Sequence, residues 1–94
     1  MKWLEIIELR SVGKHRAQVE QGLADLTAGA DPEVNVYRNL TVNTDWSIHL
    51  QYESDQDDIR ESPLGLRMAA ALREFGLVHH CVWVRECPTR AKEE

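Results

Sequence analysis

The stretch Trp46-Ser47-Ile48-His49-Leu50-Gln51-Tyr52-Glu53 alternates without interruption. Trp46, Ile48, Leu50 and Tyr52 share one side; Ser47, His49, Gln51 and Glu53 share the other. A period of two with one oily and one polar face is the pattern of a half-buried strand. Such a strand needs cover on one face only, as in an antiparallel sheet with helices on a single side. Just upstream, Asn43-Thr44-Asp45 reads as a turn. Before it, residues 34–42 (VNVYRNLTV) alternate with Val34, Val36, Leu40 and Val42 on one face and Arg38 as the exception, so the two runs form a hairpin. Thr27 to Pro32 (TAGADP) is a cluster of breakers. It follows residues 14–28, where Val19, Leu23 and Leu26 repeat at helical spacing with Val12 and with His15 or Arg16. Gly22, in mid-helix, costs about 1 kcal/mol against Ala and reads as close packing of helix on sheet. Residues 2–10 (KWLEIIELR) are a first strand.

Downstream of the hairpin, Ser62-Pro63 opens a second helix, with Ser as N-cap and Pro at the first helical position. Leu64, Met68, Leu72 and Phe75 form its apolar stripe. Gly76 is read as a left-handed cap closing it, and Leu77 as the apolar residue that follows such a cap. Residues 77–86 (LVHHCVWVRE) are the last strand, stopped by Pro88. The order β-α-β-β-α-β with right-handed crossovers predicts an α+β, ferredoxin-like fold: a four-stranded antiparallel sheet, spatial order fourth, first, third, second, with both helices on one face. One domain spans residues 1–88, and residues 89–94 form a charged tail.

Two helices cover one face, yet the first and last strands are apolar on both. Leu4 and Ile6 oppose Trp3, Ile7 and Leu9; Val78, Val82 and Val84 oppose Leu77, Cys81 and Trp83. A strand oily on both faces expects cover on both, and a large exposed apolar patch marks an interface. The expectation is a homodimer, sheet against sheet about a two-fold axis, with Trp3, Ile7, Leu9, Cys81 and Trp83 in the interface.

The 94 residues carry 16 acids against 11 bases, a net charge of -5. Nucleic acid and anionic membrane both want a basic surface, so neither is expected as a partner. No apolar run approaches the roughly 20 residues a membrane helix needs, and Glu5 and Glu8 interrupt any signal-peptide core; a cytoplasmic location is expected. Cys81 and Cys87 would lie about 20 Å apart along a strand, whereas a disulfide wants Cα atoms about 5.5 Å apart. Free thiols fit a reducing compartment.

Leu50-Gln51-Tyr52-Glu53-Ser54, the acidic loop after it, and Ser62-Pro63 opening a Leu/Ala-rich helix resemble the antibiotic-biosynthesis-monooxygenase type of dimeric α/β barrel. In that family the third strand often ends in aromatic-Glu-Ser, and a Ser-Pro pair starts the second helix. The Val12-Gly13-Lys14 turn into a helix is also similar. The resemblance runs from residue 2 to 86 and implies two sheets packed into a barrel, with a pocket between each sheet and its helices. Some members oxidise aromatic polyketides without a cofactor and others cleave haem. Tyr52 matches the aromatic position of the strand-three motif. The first strand lacks the Asn, and the helix from Pro63 to Phe75 lacks the His, that haem-degrading members use, so haem chemistry is not implied.

The pocket candidates are Tyr52, Trp46 and His80, which can share the helix-facing side; His80 could move a proton near neutral pH. His79 and Trp83 are the alternates if the last strand has the other phase. His79 and Cys81 share a side but make only two ligands where zinc wants three or four, so no metal is expected. Asp55, Asp57, Asp58 and Glu61 lack the Gly and closing Glu of an EF-hand and read as a solvated loop. There is no Gly-rich phosphate loop and no nucleophile elbow, so no cofactor is expected. Two functions compete: a small-molecule pocket, with or without monooxygenase-like catalysis, and a non-catalytic dimerisation or regulatory module.

Overall fold

The computed structural model describes residues 2–13, 16–30, 32–53 and 60–86. Most of the acidic loop, His15 and Cys87 lie outside them. The elements run β1 (Lys2–Ser11), α1 (Arg16–Thr27), β2 (Glu33–Arg38), β3 (Asp45–Glu53), α2 (Pro63–Leu72) with a 3-10 turn (Arg73–Phe75), and β4 (Gly76–Val84). The strands form one antiparallel sheet in the order β2-β3-β1-β4, the predicted ferredoxin-like arrangement. Among the described residues no helix is long and apolar enough to cross a membrane.

The alternation of β3 sets the phase of the whole sheet. Trp46, Ile48 and Leu50 are buried. Their partners across the ladder are Leu9, Ile7 and Glu5 of β1, and residues directly opposite each other share a face. Ile7 and Leu9 are therefore sealed in the core with Val19 and Leu23 of α1 and Met68 and Leu72 of α2. This corrects the expected interface: Trp3, Ile7 and Leu9 lie on the helix-facing side. The helix-free face carries Leu4 and Ile6, whose ladder partners on β4 are Trp83 and Cys81. β1 is oily on both faces, so its own pattern could not choose a phase; the ladder to β3 chooses it.

Three local readings also change. β2 ends at Arg38 rather than residue 42, and Leu40 is 98% exposed. Asn39 breaks the strand because its Oδ1 accepts from the Thr41 and Val42 N–H groups, replacing ladder bonds with a local turn. Gly76 is extended (φ 161°), not left-handed; it is needed because a Cβ there would strike the Arg10 carbonyl. Leu77 accordingly packs on no helix and is 74% exposed. Gly22 is not a close-packing residue, since nothing lies within 4 Å of where its Cβ would be.

Candidate functional site

The described interior holds one buried charged side chain, Glu5, at 0% exposure. It sits on the helix-facing side of β1 under the first turn of α2. A buried carboxylate must be matched by donors, and among the described residues three reach it. His80 Nε2 of β4 lies 2.5 Å from Oε2. Ser62 Oγ donates to Oε1 at 2.6 Å, and the Ser62 backbone N–H donates to Oε2 at 3.2 Å. The carboxylate also lies at the positive end of the α2 dipole.

Ser62 joins this site to the helix start. Its hydroxyl caps α2 by accepting from Gly65 N–H at 2.9 Å, and accepts a second bond from the Tyr52 hydroxyl at 2.7 Å. The chain Tyr52–Ser62–Glu5 thus points every proton toward the carboxylate. Gly65 makes the packing feasible, because a Cβ at that position would overlap the Glu5 carboxyl group. Tyr52 stacks on Trp3 with ring centroids 4.1 Å apart and planes 12° from parallel. Partial burial, reinforced by the Glu5 charge, raises the Tyr52 hydroxyl above its ordinary value of 10.0 against the lowering effect of the Ser62 bond. Trp3 Nε1 is buried with no hydrogen-bond partner among the described residues.

The Glu5 bond sets the orientation of the His80 ring. Facing an ionised carboxylate, Nε2 carries the hydrogen, and in the neutral ring Nδ1 is then the basic position. A histidine oriented by a carboxylate can take up and return protons.

Of the sequence candidates, Tyr52 and His80 meet in this network. Trp46 shares their face but stands six residues along β3, about 20 Å away. It borders α1 and β2 instead. The alternates His79 and Trp83 are on the opposite face, in step with Glu8 and Leu4. Cys81 accepts a bond from Trp83 Nε1 at 3.2 Å. Among the described residues no group of three His, Cys, Asp or Glu is placed to hold a metal. Sequence reading missed Glu5 as a site residue. The signal was there: one acid among Trp3, Ile7 and Leu9 on an otherwise apolar face, where ionisable side chains are rarely buried unpaired.

The fold is shared with solved structures of antibiotic-biosynthesis-monooxygenase-like proteins, at under 20% sequence identity. SnoaB, a cofactor-independent oxygenase from Streptomyces nogalater, superposes with a TM-score of 0.69 at 18% identity, over 93% of this chain and 95% of that one. Rv0793 from Mycobacterium tuberculosis matches at TM-score 0.67 and 18% identity, covering 94% and 98%. A Bordetella bronchiseptica structure assigned to the antibiotic biosynthesis monooxygenases gives 0.59 and 19%, covering 89% and 98%. No family model and no curated protein matches the sequence.

Proposed function

We propose that this chain forms a homodimeric α/β barrel that binds a small aromatic molecule between sheet and helices and carries out cofactor-independent, oxygenase-type chemistry on it. The observation that carries the reading is the buried Glu5–His80 pair. His80 Nδ1 is the base and Glu5 the carboxylate that orients it. Removing the proton of a phenol leaves an electron-rich anion able to reduce dioxygen itself; overall, a phenol and O2 give a quinone and water, with the substrate supplying the electrons. The likeness to SnoaB, a cofactor-independent oxygenase, supports this chemistry class. The Trp3–Tyr52 stack offers an aromatic wall. Trp3 Nε1–H offers a donor that a ligand carbonyl would satisfy.

The non-catalytic reading is favoured by one feature: both Glu5 oxygens are already taken by protein donors, as in a clamp that only fastens α2 to the sheet. Oxygen uptake with 1-naphthol and 1,5-dihydroxynaphthalene separates the two. Protein-dependent uptake that His80→Gln abolishes, with the melting temperature little changed, is the expected result. Neither uptake nor a thermal shift with these phenols would leave the clamp.

A further inference from the structure

We propose that the groove between α1 and β2 is a second binding site, separate from the Glu5–His80 site, and that it takes a small aromatic or aliphatic monocarboxylate. The groove exists because the helices do not reach the edge of the sheet. β2 is the outermost strand beside β3, and on its helix-facing side Val36 is still 44% exposed. Leu23 and Ala24 of α1 form the opposite wall, Trp46 the floor, and the space is about 420 Å³. That is enough for one or two fused rings.

Arg38 decides the chemistry. It lies on the same face as Val34 and Val36, because all three pair with inward-facing residues of β3, and it lines one end of the groove. It was the single exception in the apolar alternation of this strand. Glu20, the acid on the rim of the groove, is engaged by Arg16 at 3.1 Å. The Arg38 guanidinium has no ion-pair or hydrogen-bond partner among the described residues. An unpaired guanidinium beside an apolar floor matches one carboxylate, bound through its two parallel N–H groups, with the hydrocarbon part on Trp46. One guanidinium at the groove, in a chain of net charge -5, suits a monoanion better than a phosphate or a polyanion.

The test is titration of the full-length, ¹⁵N-labelled protein with 2-naphthoate, using 2-naphthylmethanol as the neutral control. Saturable shifts are expected at the Trp46 indole N–H and at the amides of Leu23, Ala24 and Val36. Arg38→Gln, at an exposed position, should weaken naphthoate about tenfold and leave 2-naphthylmethanol unchanged. Three results would each overturn the site: shifts centred on the Trp3 or Trp83 indole, equal affinity of wild type and Arg38→Gln, or chemical shifts at the groove that depend on protein concentration alone, which would mean that a second copy fills it. His80→Gln should not alter naphthoate binding, so the outcome stands apart from the oxygenase reading.

Discussion

At the scale of single residues, Glu5 and Gly65 form a matched pair. The carboxylate occupies the space a side chain at 65 would need. Gly65→Ala should therefore cost about 3 kcal/mol, an overpacking penalty against a buried carboxylate held by its donors. Glu5→Ala should cost a similar amount, about 3 kcal/mol, by leaving the Ser62 N–H and His80 without their acceptor. In the double variant the new methyl enters the vacated space, so the combined loss should fall short of the sum by about 2 kcal/mol. Urea unfolding of the four proteins measures this; strict additivity would mean the two residues do not meet. Gly22 behaves oppositely. With open space where its Cβ would lie, Gly22→Ala should stabilise by about 0.5–1 kcal/mol through better helix propensity and a less flexible unfolded chain. Tyr52 supplies a pH effect. Its hydroxyl is raised above 10.0 in the fold, so the folded state keeps a proton that the unfolded chain releases. That stability is fully present below pH 10 and is lost as pH rises through the folded value. Tyr52→Phe should flatten the fall in urea midpoint above pH 10, read as the difference between the two alkaline stability curves.

At the scale of elements, the start of α2 is where local sequence and tertiary structure meet. Ser62 is at once an N-cap, an acceptor for Tyr52 and a donor to Glu5. An isolated helix would accept Asp in its place with little change. Here Ser62→Asp sets a second carboxylate against a buried first one, so it should destabilise more than Ser62→Ala, reversing the ordinary capping order; comparing the two melting temperatures checks it. The helix start was legible because Ser-Pro is a local signal that needs no knowledge of the rest of the chain. β3 was legible for the same reason. What lay beyond local reading depended on partners distant in sequence. The phase of β1 comes from its ladder to β3, 35 to 51 residues away along the chain. The need for glycine at 76 comes from the Arg10 carbonyl. The Glu5 site joins residues separated by 57 and 75 positions, and no spacing rule links them. Tyr52 and His80 could be nominated singly, from their types and faces, but the acid that unites them could not be weighted without seeing α2 placed over it.

At the scale of the whole molecule, the strand order and the single helical layer followed from element order and crossover handedness. The question they leave is what covers the other side of the sheet. There Leu4 and Ile6 of β1 stand beside Trp83 and Cys81 of β4, and Trp83 is 62% exposed. The patch lies on the two strands that are apolar on both faces, so cover by a second copy through a two-fold axis remains the expected assembly, now with Leu4 and Ile6 in place of Ile7 and Leu9. The two sets of residues give opposite outcomes on substitution. Trp83→Glu puts a charge on an exposed site of the single chain and should leave the fold intact while separating the copies, since a charge facing its symmetry mate across an apolar interface is both desolvated and repelled. Leu9→Glu puts a charge in the sealed core and should unfold the chain outright. Sedimentation equilibrium should give twice the 10.8 kDa chain mass for the wild type and the chain mass for Trp83→Glu, with far-ultraviolet circular dichroism retained. A folded Trp83→Glu protein that still sediments as a dimer would place the contact on another surface, and a wild type that stays monomeric at high concentration would leave the helix-free face without a partner of its own kind.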